Sequence, residues 1–187
     1  MPINPGRFAA AMLPTTAAAG GDWHAVTHLT WPGVEELISR IAEAISNEGA
    51  PQILVAILRG GAIPAVCLSH RLPLRDVRTI EITHTTDDST NAAKTPRPLV
   101  VNPASLGDLT GRDVLIVDDV AGTGDTLAAA TRLATDAGAG RVRTAVCVVN
   151  ENNWTGHLPA KATVTYIGTS TRGWTVFPWE GNHEHQH

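Results

Sequence analysis

The chain has 187 residues, a mass of 19.7 kDa and a formal net charge of −4. That length suits one compact α/β domain, and the slight acidity argues against a nucleic-acid binder working through a broad basic face. Hydrophobic residues at 43% and charged residues at 17% exclude a disordered or coiled-coil chain, and no apolar run approaches the roughly 18 residues of a membrane-spanning helix.

Two cysteines, Cys67 and Cys147, sit inside apolar segments. They read as buried thiols of a protein kept in a reducing compartment, so a cytoplasmic location is expected. Five Trp stand against two Phe and one Tyr, and Trp174 and Trp179 fall close together near the C-terminus. Composition alone does not explain that excess.

Residues 1–27 are Ala- and Gly-rich, carry Pro2, Pro5 and Pro14, and are expected to form a flexible arm. Pro14 and the single basic residue ahead of it, Arg7, argue against a signal peptide. A helix is predicted from Thr30, a plausible N-cap, with Pro32 in its first turn. Val34, Leu37, Ile38, Ile41 and Ile45 give it one apolar face, and Gly49 ends it. Residues 52–58 (QILVAIL) are apolar without helical spacing and read as a buried strand. Arg59-Gly60-Gly61 reads as a loop and 63–71 as a helix. Residues 77–84 alternate as a strand. The stretch 85–98 is polar and reads as one long loop. A buried strand follows at 114–117, a Gly loop at Gly122 and Gly124, and a helix over 126–137 that ends near Gly138. Two more strands are predicted at 142–149 and 162–168. The tail 181–187 is expected to be solvated; its alternating His could bind a metal only adventitiously. Strands alternating with helices imply a central, mostly parallel sheet with helices on both faces.

The strongest local signal is Val114-Leu-Ile-Val-Asp118-Asp119-Val-Ala-Gly122-Thr123-Gly124-Asp125-Thr126. A buried strand runs into two acids, then a Gly/Thr loop, then a helix. In an open α/β sheet that loop lies at the carboxyl edge, where ligands bind. Loop amides and the helix N-terminus offer donors and a positive dipole end to a phosphate. Gly122 and Gly124 let the backbone come close. The pattern is neither GxGxxG nor GxxxxGK[ST], so a dinucleotide or Walker site is disfavoured. Two carboxylates beside a phosphate cradle would repel the ligand unless they accept from sugar hydroxyls or sit near Mg²⁺.

This thirteen-residue segment resembles the 5-phosphoribosyl-1-pyrophosphate (PRPP) signature of type I phosphoribosyltransferases. The resemblance implies that Asp118 and Asp119 bind the ribose hydroxyls. It implies that Ala121, Gly122, Thr123, Gly124, Asp125 and Thr126 wrap the 5′-phosphate. Leu58-Arg59-Gly60-Gly61 is similar to the family's pyrophosphate loop, where Arg59 and Gly60 would hold the diphosphate, often through a non-proline cis peptide. The polar stretch 85–98 stands where the family has a mobile loop over the active site, with Lys94 and Arg97 as its basic residues. Arg172-Gly-Trp174-Thr-Val-Phe-Pro178-Trp179-Glu180 resembles the C-terminal hood of the hypoxanthine/xanthine–guanine, or purine, branch. By that match Trp174 stacks on the base, Thr175 offers its backbone to the ring edge, and Glu180 lies near a metal-bound water at the pyrophosphate. Trp179 is expected to be hood core.

The resemblance covers about 28–180, with a hood formed by 28–50 and 150–180. It implies a pentosyltransferase that moves the phosphoribosyl group of PRPP to a base nitrogen and releases pyrophosphate. Arg59, Asp118 and Asp119 are its expected catalytic residues, and Asp118, Asp119 and Glu180 its expected Mg²⁺ site. Family habit implies a homodimer or homotetramer, with no nucleic-acid or membrane partner.

Two positions depart from the branch. Its members usually carry an Asp facing N7 of the purine where this chain has Gly122, and a Lys reaching the 6-oxo group where this chain has Val149-Asn150-Glu151. The acceptor is therefore a purine or a purine-like base, with a 7-deazapurine substituted near that position as one option. Asn150 could read its polar edge. The group that takes the base's proton is open among Glu151, a phosphate oxygen and water. The competing reading is a PRPP-binding regulator of the same fold, which would need a nucleic-acid surface that two Lys and scattered Arg do not supply.

Overall fold

The computed structural model describes residues 26–85 and 93–180. The expected arm (1–25), the centre of the polar stretch (86–92) and the tail (181–187) lie outside the described residues. Among the described residues eight strands run in the order β1 (Val26–His28), β2 (Ile53–Leu58), β3 (Val77–Thr85), β4 (Lys94–Val100), β5 (Asp113–Ala121), β6 (Arg141–Asn150), β7 (Tyr166–Thr171) and β8 (Trp174–Val176). Four α-helices intervene among them: α1 (Trp31–Glu48), α2 (Ala62–Arg71), α3 (Asp125–Asp136) and the single turn α4 (Ala160–Thr163).

Six strands form the central sheet in the order β4-β3-β2-β5-β6-β7. Every neighbour pair is parallel except β3 and β4. Alternation along β2 shows how the two faces are built. Leu54 and Ala56 join α1, α2 and Phe177 in one core; Ile53, Val55 and Ile57 join α3 in the other. Near-continuous apolar strands are what burial on both faces demands.

Local chemistry explains the element ends. Thr30 caps α1 by accepting from the Gly33 amide at 3.3 Å, and Pro32 needs no amide partner there. Val34, Leu37, Ile38, Ile41 and Ile45 are all buried, as the spacing predicts, each worth about 1.5–3 kcal/mol of transfer free energy if fully buried. Gly49 follows at φ 94°, which closes α1 in the region glycine tolerates.

Several expectations change in three dimensions. The polar stretch is not one loop: from Lys94 onward it is β4, an antiparallel edge strand on β3. Its polar sequence and two prolines suit an edge, where one side of the backbone needs no ladder partner. The acids of the signature lie inside the strand, because β5 extends to Ala121. The last core strand is β7 at Tyr166–Thr171; residues 160–163, partly assigned to it, form α4. Residues 26 and 27, assigned to the arm, pair in parallel with β8 as part of β1. That two-stranded sheet ties the start of the described chain to the hood.

At the amino edge of the sheet Arg143 is only 2% exposed. It makes two bonds to the Asp113 carboxylate (3.1 and 2.8 Å) and donates to Gly49 O (2.9 Å) and Tyr166 Oη (3.0 Å). Tyr166 in turn donates to Glu48 at 3.0 Å. One guanidinium thus joins β5, β6, β7 and the end of α1. Removing one member of a buried pair leaves the others desolvated and unmatched. Arg143→Met should therefore cost about 3–5 kcal/mol in urea unfolding, while activity below the melting range is retained, since the carboxyl edge lies at the far end of these strands.

Candidate active site

The site forms where β2 and β5 end at the carboxyl edge. After β2 the chain turns through Arg59, Gly60 and Gly61 into α2. The Leu58–Arg59 peptide is cis, as the resemblance implies. Arg59 is exposed. Gly60 lies directly on the Asp119 carboxylate, and a Cβ there would overlap it. At Gly61 a Cβ would collide with Val117 O and come within 2.6 Å of Ile57 O. The two glycines let this turn press against the acidic end of β5. Their requirement is close approach, not a left-handed backbone.

Asp118 and Asp119 are both buried. Asp118 accepts from the Asp119 amide at 3.0 Å, and Asp119 accepts from the Val120 amide at 2.7 Å. Burial and the neighbouring Asp119 charge push the Asp118 carboxyl well above its ordinary range. Burial first, with the Glu180 charge adding to it, pushes Asp119 up from 3.8 to about 6. The backbone donor from Val120 works against that rise. Without a ligand, then, the site disfavours its own charge. Cations or hydroxyl donors at this point would relieve it. Glu180 is held here by accepting from the Phe177 amide at 2.9 Å. Below the acids lies Cys147, whose thiol is pushed up to about 12 by burial and the two carboxylates, so it is inert.

Beyond the acids the loop opens a cavity of about 90 Å³ lined by Asp118, Gly122, Thr123, Gly124, Thr126 and His84, among others. Gly124, at φ 86°, precedes α3. The first amides of α3 face outward with no helical acceptor, as at any helix start. Asp125 stands in this first turn with its side chain exposed.

Sequence reasoning missed two neighbours of this loop. His84, one residue from the end of β3, spans to the loop: Nε2 lies 3.2 Å from Asp125 Oδ2 and Nδ1 lies 3.3 Å from Thr95 Oγ1. Its only signal was a place at the carboxyl end of a strand. Trp154 packs against the loop's entry to α3; a Cβ at Gly124 would meet its ring at 2.8 Å. Its indole donates to Leu158 O at 2.8 Å. Nothing in the local sequence pairs Trp154 with Gly124.

The remaining expected residues divide. Trp179 stacks on Phe177 (centroids 4.6 Å, 18°) and leans on Trp31 (5.9 Å, 51°), which makes it hood core. Trp174 is half-buried on β8, a strand with no second strand partner among the described residues. Thr175 is buried beside it, and its Oγ1 has no hydrogen-bond partner among the described residues. Asn150 is tied to backbone through both ends of its amide. Its nitrogen donates to Gly173 O (3.1 Å), and its oxygen accepts from the Asn152 and Asn153 amides (3.1 and 3.3 Å). It thereby joins the turn after β6 to the hood turn. Glu151 is exposed and 3.6 Å from Arg172. Lys94 and Arg97 lie on β4, and Arg97 is exposed.

Paired buried acids ahead of a small cavity, at the carboxyl edge of a doubly wound sheet, are the arrangement of an α/β protein with its ligand crevice at the strand ends. The chain belongs to the phosphoribosyl transferase domain family, whose model matches residues 26–184. The xanthine-guanine phosphoribosyltransferase of Roseobacter denitrificans is 30% identical over 144 residues, which are 68% of this chain and 81% of that one. The structure of a purine phosphoribosyltransferase from Pyrococcus horikoshii is 32% identical with a TM-score of 0.67, covering 83% of this chain and 93% of that one. A Helicobacter pylori xanthine-guanine-hypoxanthine phosphoribosyltransferase shares the fold at 19% identity and TM-score 0.67, covering 84% and 95%. The chain is thus a type I phosphoribosyltransferase of the purine branch, a pentosyltransferase enzyme. No helix among the described residues is long and apolar enough to cross a membrane.

Two measurements probe this geometry. Gly60→Ala should lower turnover by about 100-fold, because its Cβ would displace the Asp119 carboxylate from the end of β5; steady-state kinetics on a variant of native melting temperature would show it. For Asp119 the sign follows from its raised value. The unfolded chain loses this proton near 3.8 and the folded one near 6, so the folded state binds more protons between those values. Stability of the ligand-free protein should fall as pH rises from 3.8 to about 6. Asp119→Asn should flatten that window and melt higher than the unsubstituted protein at pH 7.5, as calorimetry across pH would register.

Proposed function

We propose that the enzyme transfers the 5-phosphoribosyl group of PRPP to a ring nitrogen of a purine or purine-like base and releases pyrophosphate. One observation carries the reading: two buried carboxylates stand at the end of β5, directly ahead of a phosphate-sized cavity at the start of α3. The acids accept from the ribose hydroxyls and so fix the ring. Loop amides of 122–126 hold the 5′-phosphate. Arg59, whose planar fork matches phosphate oxygens, faces the diphosphate from the turn after β2. The base lies on Trp174, an aromatic face suited to a flat heterocycle.

Among the described residues no three His, Cys, Asp or Glu side chains converge on one point, so Mg²⁺ here would take part of its shell from PRPP and water. Asp118 and Asp119 supply hard oxygens whose charge burial disfavours, and Glu180 stands near enough to be felt by Asp119. Bound there with PRPP, the ion would neutralise charge on the leaving diphosphate. The bond from C1 to the diphosphate breaks as the base nitrogen attacks the opposite face, with inversion. The developing oxocarbenium character needs positioning and charge stabilisation rather than a side-chain nucleophile. The inert Cys147 agrees with that.

Gly122 supports an acceptor range that includes 7-deazapurines. The branch places an Asp there to hold N7, and a ring without N7 loses nothing when that carboxylate is absent. Lys94 and Arg97 we assign to the rim above the site, reached from β4. The test is a pyrophosphate-release screen with PRPP, Mg²⁺ and a panel of purines, 7-deazapurines and pyrimidines. Purine-like rings should turn over and pyrimidines should not. Asp119→Ala should lower the best rate at least about 100-fold. PRPP binding with no base consumed would instead favour a regulator. Guanine or hypoxanthine reacting as fast as every modified base would remove the 7-deazapurine extension.

A further inference from the structure

The phosphate subsite poses a charge problem. A phosphate monoester brings about −1.5 to −2 at pH 7. The segment that should receive it, 118–126, carries Asp118, Asp119 and Asp125 and no Lys or Arg. Among the described residues lining the cavity, His84 is the only one that can carry positive charge.

Both ring nitrogens of His84 face polar groups at the cavity wall. Nε2 lies 3.2 Å from a carboxylate oxygen of Asp125, which accepts, so Nε2 donates. Nδ1 lies 3.3 Å from the Thr95 hydroxyl, whose single hydrogen can go to Nδ1 or to Arg97 O. The His84 side chain is only 10% exposed, against 52% for Asp125. A ring N–H thus stands in the cavity wall with an exposed carboxylate as its partner.

We propose that His84 is the phosphate-binding side chain of this enzyme, its Nε2–H handed from Asp125 to the 5′-phosphate of PRPP when the substrate enters. The inference rests on the PRPP reading above and adds to it a residue from β3, outside the signature loop. A side chain able to carry positive charge then stands where the loop itself has none, and charge-assisted bonds to phosphate are the strong ones.

The test uses the full chain, with ribose 5-phosphate as the probe for this subsite. His84→Gln keeps a donor and removes the charge. It should raise KM for PRPP and Kd for ribose 5-phosphate about tenfold, with kcat within about twofold and KM for the base unchanged. His84→Lys restores the charge and should bring both constants back to within about threefold of the unsubstituted enzyme. Unchanged constants in His84→Gln would overturn the proposal. So would a fall in kcat with ribose 5-phosphate affinity intact, which would assign His84 to the chemistry. If His84→Gln does not fold, the ring ¹⁵N resonances of His84 in the unsubstituted protein decide: they should shift on adding ribose 5-phosphate, and resonances that stay in place would overturn the proposal. Failure of the underlying reading is separable, because it shows in the unsubstituted protein alone, as no pyrophosphate release with any base and no binding of ribose 5-phosphate.

Discussion

The site depends on one constraint: two carboxylates must be held, buried and adjacent, at the end of a central strand. Burial makes them costly to ionise, and the fold bears that cost with apolar packing on both faces of β5. The cost is also what makes them useful. A ligand that brings hydroxyl donors and a cation gains at this point what the empty protein lacks. The nearby glycines follow from the same constraint. Only Gly60 allows the turn after β2 to lie on Asp119, and only Gly61 allows it to pass the carbonyls of β2 and β5.

Stability is concentrated at the opposite edge. Arg143, Asp113, Tyr166 and Glu48 lock the amino ends of three strands to α1. That end is closed by ion pairs and hydrogen bonds, whereas the carboxyl end holds two carboxyls whose charge burial disfavours. The division suits an enzyme that must bind a highly charged substrate without loosening its core. It also places electrostatic frustration where substrate can relieve it.

The Trp-rich C-terminus divides along the same line. Trp179 and Phe177 stack with Trp31 to anchor the hood, so their aromatic area serves packing. Trp174 instead stays half-buried on β8, outside that aromatic stack. A third Trp, at 154, braces the entry to α3 against Gly124. Asn150, buried between Gly173 and the turn after β6, holds the hood in register. At 122 and 150 this chain thus has a glycine and an amide bound to the hood turn.

The sequence by itself determined the doubly wound sheet, the apolar face of α1, the acids, the phosphate loop and the turn at Arg59. These follow from periodicity and from motifs whose chemistry is contiguous along the chain. Only the tertiary structure decided the rest. The polar stretch becomes β4 because β3 offers it an edge, and 26–28 becomes a strand because β8 lies beside it. Neither pairing has a local signature, since three polar or isolated apolar residues take their conformation from a partner. The contacts of His84 with Asp125, Trp154 with Gly124 and Asn150 with Gly173 join residues far apart in sequence. Side-chain hydrogen bonds and ring packing at such separations depend on where the backbone has already placed both ends, and no spacing rule records that.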